Sequence, residues 1–336
     1  MCLLLIDGHY YLYRSYFAIR GLTNSRGEPT NAIYGFLKAL RKMVADLKPE
    51  LGAVVWDHGL PDRRTALQSA YKQHRPEMPP DMRSQEAWLQ ENVPLTGFAS
   101  LSVPNTEADD LIASYARKGV ESGYEIVIAT NDKDILQLTS DRVAIYSTAK
   151  ADAGTSGFAL LGPKNVKEKW GVEPGQIAEI LALTGDSIDN IPGVPGVGAK
   201  TAAQLVRSYQ TVENLLRRVD TVEPAKLRQR LEDAKDLIRI NRSMVALEDD
   251  LALPKALGDL RIAPQYGPLI AALEACEFKS LLKEIETEAS RTPVVQQGQL
   301  LSRRAAISFG KNPAWSIFFW RENCLRKQLR CLILLS

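Results

Sequence analysis

The chain has 336 residues, of which 45% are hydrophobic and 24% charged, and a formal net charge of +2. This is the composition of an ordinary globular protein with one large core or two domains, which excludes a disordered or fibrous chain. A near-neutral balance also means that no overall basic field announces a nucleic acid; a local basic strip would have to serve one.

The first stretch, MCLLLIDGHYYLYR, carries an apolar run of only five residues, Cys2 to Ile6, without a basic leader or an export cleavage pattern. No segment reaches the length needed to span a bilayer, so the expectation is a cytosolic protein with no membrane partner. Leu3–Ile6, Leu51–Trp56 and Glu125–Thr130 are short apolar runs that suit buried strands. Between them, Ala32–Leu47 and Glu107–Lys118 follow a helical period. Strands alternating with helices predict an α/β fold with a mostly parallel sheet flanked by helices, and ligands at the carboxyl ends of the strands.

Those ends carry acids. Asp7 follows LLLI, Asp57 follows GAVVW, and Asp132 and Asp134 follow IVIAT; a helix opens with Glu107, Asp109 and Asp110. One acid at a strand end is ordinarily a helix cap. Three strand ends and an acidic helix start are poorly explained by independent capping, because the charges repel unless a cation compensates them.

The segment at 62–85, DRRTALQSAYKQHRPEMPPDMRSQ, places Arg64, Tyr71, Lys72 and Arg75 at near-helical spacing, i, i+7, i+8 and i+11. Taken alone it reads as a solvated amphipathic helix. Beside a metal cluster, a basic face bearing an aromatic ring suits a phosphate backbone and a stacked base. Pro76, Pro79 and Pro80 then end the helix.

Residues 185–202 read GDSIDNIPGVPGVGAKTA. Asp186 and Asp189 precede a turn in which Gly193, Gly196 and Gly198 allow a tight hairpin. One helix is expected to end near Asn190 and another to start at Ala199-Lys200-Thr201. Backbone amides at that second start can hold a DNA phosphate without reading sequence. Residues 174–246 read as mainly helical. From Glu286 the texture becomes that of a linker, and the stretch WSIFFWRENCLRKQLRCLILLS has no clean period, which fits a peripheral tail or a contact surface.

The nine acids, Asp7, Asp57, Glu107, Asp109, Asp110, Asp132, Asp134, Asp186 and Asp189, have no His or Cys within their motifs; His9, His58 and His74 fall outside them. The four cysteines have no CxxC spacing. All-oxygen ligation favours Mg²⁺, with Mn²⁺ as a substitute, over zinc. So many carboxylates exceed the needs of one ion and suit two ions about 4 Å apart, the arrangement of two-metal phosphodiester hydrolysis.

Six stretches then carry a resemblance: LLIDGHYYLYRSYFA, NSRGEPTNAIYGFLKAL, AYKQHRPEMPPDMRSQ, EADDLIA, TNDKDILQL and GDSIDNIPGVPGVGAKTA. In this order, over roughly residues 1 to 285, the chain resembles the 5′-nuclease (5′–3′ exonuclease) domain of bacterial DNA polymerase I, within the flap endonuclease family. The resemblance implies a PIN-like catalytic domain at 1–173 with a helical arch at about 62–93. It also implies a helical helix-hairpin-helix (helix-three-turn-helix) DNA-binding subdomain at 174–285, then a linker and unassigned tail at 286–336.

Carried over by position, Asp7, Asp57, Glu107 and Asp109 resemble ligands of a first Mg²⁺. Asp132, Asp134 and Asp189 resemble ligands of a second, with Asp110 and Asp186 acting directly or through water. Lys72 and Arg75 resemble arch cations that steady the scissile phosphate, and Arg14 and Arg64 resemble residues that hold the 5′ strand. The hairpin at Gly193–Thr201 is expected to bind duplex phosphates with a K⁺ ion.

The implied function is a structure-specific 5′ nuclease in replication and repair, acting as a monomer in the bacterial cytoplasm. Its substrates would be branched or nicked duplexes with a 5′ flap, including RNA-primed 5′ ends, alongside a separate DNA polymerase. Two alternatives stay open: a DNA-binding module that has lost turnover, and a related PIN-type nuclease acting on RNA. The chain departs from the family pattern at Asn131, which stands where a Gly is usual, and at Trp56, Arg63 and Gln68. No polymerase domain follows, which fits a stand-alone nuclease or a truncated product.

Overall fold

The first strand sets the architecture, because every residue from Leu3 to Ile6 is apolar and completely buried. A strand apolar on both faces belongs in the middle of a parallel sheet with helices on either side. In the computed structural model, which describes residues 1–148 and 157–291, β1 (Cys2–Asp7) is paired in parallel with β2 (Leu51–Val55) and with β4 (Glu125–Ala129). The six strands run in the order β3-β2-β1-β4-β5-β6, completed by β3 (Ala99–Leu101), β5 (Val143–Ser147) and β6 (Ala159–Leu161). All neighbours are parallel except β6, which lies antiparallel at the edge.

Strand alternation sends Leu4 and Ile6 to one face and Leu3 and Leu5 to the other. The first face packs on α1 (Gly8–Ala18), α2 (Asn31–Leu47) and α4 (Pro80–Asn92), together with α12 (Tyr266–Ala275) and α13 (Lys279–Arg291). The second packs on α5 (Ala108–Glu121). Each fully buried Leu here is worth about 1.5–3 kcal/mol, so β1 is pinned from both sides and its end is a rigid platform.

A third core belongs to the helices α6 (Pro163–Trp170), α7 (Ile177–Thr184), α8 (Ala199–Tyr209), α9 (Val212–Arg217), α10 (Ala225–Asp233) and α11 (Lys235–Val245). The mainly helical reading of 174–246 therefore holds. Among the described residues no helix is long and apolar enough to cross a membrane.

Three expectations need correction. The helix expected to carry Arg64 to Arg75 stops early: α3 covers only Asp62–Leu67, turns follow, and α4 starts with Pro80 in its first turn. The helix expected to reach Asn190 ends at Thr184, because Gly185 takes a left-handed φ of 68°. Among the described residues the last helix runs through Arg291, so the linker expected from 286 starts as helix. The tail beyond residue 291 lies outside the described residues.

Candidate active site: an acid cluster at the strand ends

Parallel register brings the acids to one edge of the sheet. Ile6 pairs with Val54 on one side and with Ala129 on the other, so Asp7, Asp57 and the 130–134 loop leave the sheet at the same level. Asp7 accepts the Tyr10 N–H of α1 at 2.9 Å and the Thr130 hydroxyl at 2.9 Å. Burial pushes its carboxyl up to about 6, against those two hydrogen bonds and with the charge of Asp57 adding to the rise. Asp57 accepts the Ala108 N–H at 2.7 Å and so fixes the start of α5. Asp109 follows on that helix, and burial, then the charges of Asp132, Asp7 and Asp57, hold its carboxyl well above the usual range.

Thr130 ends the β4 run. Its hydroxyl donates to Asp7 and accepts the Asp132 N–H at 3.2 Å, while Asp132 in turn accepts the Asp134 N–H at 2.9 Å. Asp134, Asp186 and Asp189 each offer a carboxylate oxygen within 4.8 Å of the others. Asp134 is pushed up to about 8 by burial and by Asp132 and Asp186. Its Oδ1 is buried and has no hydrogen-bond partner. A buried carboxylate oxygen without a donor, among like charges, is what a hard cation requires. The residues therefore fit a divalent ion.

The cations line the opposite wall. Asp189 receives Arg75 at 2.6 Å and the Tyr71 hydroxyl at 3.2 Å, with the Lys72 ammonium 3.9 Å away. Lys72 also meets Glu107 directly. Burial works against its charge, but Glu107, Asp189 and Asp57 outweigh burial and hold its pKa above the ordinary value. Lys72 itself has a left-handed φ of 55°, a sparsely populated conformation for a lysine and one typical of functional sites. Lys133 pairs with Asp186 at 2.9 Å.

Several expected roles do not survive this geometry. Arg64 is 3% exposed and grips both oxygens of Asp110, at 2.5 and 2.8 Å, as well as Glu107, so it is not free to hold a 5′ strand. Asp110, 1% exposed, also accepts the Glu248 N–H at 2.9 Å, so its charge is already met by Arg64 and that amide. Tyr71 is 4% exposed and packs into the helical core, so its ring is unavailable to a base. Arg64, Tyr71, Lys72 and Arg75 converge through a short helix and turns, not along one helix face. Arg14 stays exposed, donating to Thr148 at 3.0 Å.

In the hairpin, the glycines differ. A Cβ on Gly193 would sit 2.0 Å from the Thr184 carbonyl oxygen, Gly196 takes φ 76°, and Gly198 faces open space at the start of α8. Lys200 is exposed in that first turn, followed by Thr201. Asn131 keeps an ordinary φ, so the position does not need the expected glycine.

Sequence reasoning missed His9, placed outside the acid motifs, although it lies two residues from Asp7. Its Nε2 bonds Glu86 at 2.9 Å, and its Nδ1 accepts the Asp57 N–H at 3.2 Å. Thr130 and Lys133 were also missed. The only signal was position, one at the end of an apolar run and one between two aspartates.

Two family models match: 5′-3′ exonuclease, N-terminal resolvase-like domain, over residues 2–171, and 5′-3′ exonuclease, C-terminal SAM fold, over residues 172–267. The chain belongs to the 5′–3′ exonuclease family. It is accordingly a nuclease of the 5′–3′ exonuclease type, with an acid cluster of the kind that holds a divalent metal.

A 5′-3′ exonuclease of Aquifex aeolicus is 36% identical over 285 residues, covering 84% of this chain and 95% of that protein. The thermostable DNA polymerase I of Thermus thermophilus is 41% identical over 281 residues, covering 84% of this chain. The chain spans about a third of that polymerase, 33% of its length. The fold matches the T5 5′-exonuclease with divalent zinc ions bound (TM-score 0.60, 20% identity, 86% of this chain and 98% of that one). It also matches the catalytic core of Rad2 in complex with a DNA substrate (TM-score 0.56, 15% identity, 82% and 87%). The architecture of this family member is thus a resolvase-like, PIN-type sheet domain joined to a SAM-like helical one.

Proposed function

We propose that this chain is a Mg²⁺-dependent, structure-specific 5′ nuclease that cuts near the junction of a duplex and a single-stranded 5′ flap. The observation that carries this reading is the Asp134–Asp186–Asp189 group, three oxygens within 4.8 Å, one buried atom of which has no donor. Asp7, Asp57, Glu107 and Asp109 form the ligand set of one ion, and Asp132, Asp134, Asp186 and Asp189 that of the other. Mn²⁺ substitutes for Mg²⁺, because both take oxygen ligands. Bound ions supply Lewis-acid activation of water and of the scissile phosphate.

The chain's own residues do the positioning. Asp7 is held in place by Tyr10 and Thr130, and Asp57 by its bond to the α5 amide. Lys72 and Arg75, drawn toward Asp189, present two positive charges where the phosphate must lie. Cationic donors at that point stabilise the charge that develops as the phosphodiester is attacked. No protein nucleophile is required.

The sheet and its helices, α12 and α13 included, serve as the catalytic domain with the arch at 62–93, and α6 to α11 as the DNA-binding subdomain. The amides at Gly198–Thr201, with Lys200, hold duplex phosphates without reading sequence, and a K⁺ ion held at this turn would add positive charge for the same phosphates. Support comes from the T5 flap endonuclease solved with DNA and metal ions and from Rad2 with its DNA substrate. The polymerase I relatives support a linked or separate polymerase as partner, and RNA-primed 5′ ends are proposed as further substrates.

The test is cleavage of a labelled 5′-flap duplex with Mg²⁺, with EDTA, and with a blunt duplex for comparison. Asp132→Ala should abolish cleavage and leave flap binding within about tenfold. Unchanged cleavage would sink the metal assignment.

A further inference from the structure

His9 lies between two elements that the nuclease reading treats separately. Its Nδ1 accepts the Asp57 N–H at 3.2 Å, which leaves the proton on Nε2, and Nε2 donates to Glu86 at 2.9 Å. Hydrogen bonding on both sides fixes the orientation of the ring. Glu86 sits on α4, the second helix of the arch segment, where it also accepts the Gln90 amide at 3.0 Å.

The ring is held rigidly. It meets Trp56 edge-on at 5.6 Å; Trp56 stacks on Phe36 at 5.7 Å and donates its indole N–H to Ser100 at 3.0 Å. A Cβ on Gly8 would lie 2.4 Å from the same indole, so the start of α1 presses directly on the end of β2. The side chains of His9 and Glu86 are only 18% and 17% exposed, which shelters their bond from water. Beyond His9, the Asp57 carboxylate holds the Ala108 N–H, and α5 then presents Asp109. One line of contacts therefore runs from α4 through His9 and Asp57 to α5.

We infer that His9 is a positioning residue that couples the arch helix α4 to the acid cluster, through an imidazole bridging Glu86 and the Asp57 backbone. The inference rests on the nuclease reading and adds a residue to it. His9 contacts neither the phosphate nor the ions; it fixes the backbone from which Asp57 projects, and it registers where α4 stands.

The experiment uses the full chain with His9→Ala, His9→Asn, Glu86→Ala and the double variant His9→Asn/Glu86→Ala. It measures kcat and KM on a labelled 5′-flap duplex with Mg²⁺, and Mn²⁺ affinity by calorimetry without DNA. His9→Ala should lower kcat and weaken Mn²⁺ binding by about tenfold each, with KM within about twofold. Asn keeps an acceptor where Nδ1 stands but does not reach Glu86. His9→Asn should therefore restore Mn²⁺ affinity to within about threefold, yet keep a kcat loss equal to that of Glu86→Ala. In the double variant the two losses should not multiply. Multiplied losses, wild-type Mn²⁺ affinity in His9→Ala, or no rescue by Asn would overturn the coupling. Failure of the wild-type chain to cleave would sink the nuclease reading instead, and the Mn²⁺ affinities would still decide the role of His9.

Discussion

Gln68 donates its side-chain amide to the Asn190 carbonyl at 2.6 Å, and Asn190 returns its own amide to the Ala70 carbonyl at 2.7 Å. With the Lys72 N–H on the Asp189 carbonyl at 3.1 Å, three bonds sew the turn after α3 to the acid loop. Lys72 and Asn190 both adopt left-handed φ, 55° and 59°, and that turns their neighbours toward each other. Gln68→Ala should cost about 1–2 kcal/mol by urea unfolding and lower flap cleavage more than flap binding. Asn190→Gly should retain the backbone turn and lose the Ala70 bond, with a similar effect on cleavage. Unchanged kcat in both variants would remove the seam from the catalytic account.

Arg64 is structural in this fold. It neutralises Glu107 and Asp110 and donates to the Met244 carbonyl at 2.8 Å, all in a buried setting. Removing one partner of a buried ion pair leaves an uncompensated charge, worth about 3–5 kcal/mol. Arg64→Ala should therefore lower the denaturation midpoint sharply, whereas a substrate-binding arginine would raise KM in a protein of normal stability. Parallel unfolding curves and flap titrations separate the two.

The raised pKa of Asp134 gives a pH signature to the metal-free protein. Its folded-state pKa, about 8, lies above the ordinary carboxylate value, so between about pH 4 and 8 the folded form holds a proton that the unfolded form has lost. Stability in EDTA should fall as pH rises through that window and level off above it. Asp134→Asn should flatten the decline and make the metal-free protein more stable at neutral pH by at least about 1 kcal/mol. Added Mg²⁺ should stabilise the wild type and scarcely affect the variant. Thermal melts from pH 5 to 9 check each part, and a metal-free stability that rises with pH would contradict the assignment.

Two hairpin glycines should respond oppositely to alanine. Gly193 has no room, with the Thr184 carbonyl oxygen 2.0 Å from the new atom, so Gly193→Ala should destabilise by roughly 1–3 kcal/mol or more. Gly198 is open and has a φ of −92°, so Gly198→Ala should leave the melting temperature unchanged. If its amide docks a phosphate, the same variant should weaken every duplex alike and reduce the salt dependence of binding. A sequence-selective loss would exclude phosphate docking.

The strands that position the acids were legible because β1, β2 and β4 are apolar on both faces, a pattern only a central parallel strand needs. Strands β3 and β6 were not, since three residues carry too little periodicity, and β5, VAIYS, is less uniformly aliphatic than β1, β2 or β4. The arch segment misled for a physical reason. Spacing of i, i+7, i+8 and i+11 implies a shared helix face only if the backbone stays helical, and Lys72 does not. Spacing is equally silent on burial, so Arg64 and Tyr71 read as free side chains when both plug into the interior. Of the acids, the group Asp134, Asp186 and Asp189 was legible by residue type, whereas Asp110 was read with them because its partner Arg64 stands 46 residues away. His9 was missed because its partners, Asp57 and Glu86, lie 48 and 77 residues distant in the chain.

The Thr130 hydroxyl receives the Asp132 amide and gives its proton to Asp7, so the loops at the ends of β1 and β4 share one oxygen atom as a hinge pin. Any displacement of one loop along that line is handed to the other. The acids on the two sides of the cluster are therefore not two mechanical bodies but one, and a valine at this position, equal in shape but without the oxygen, would give them separate degrees of freedom.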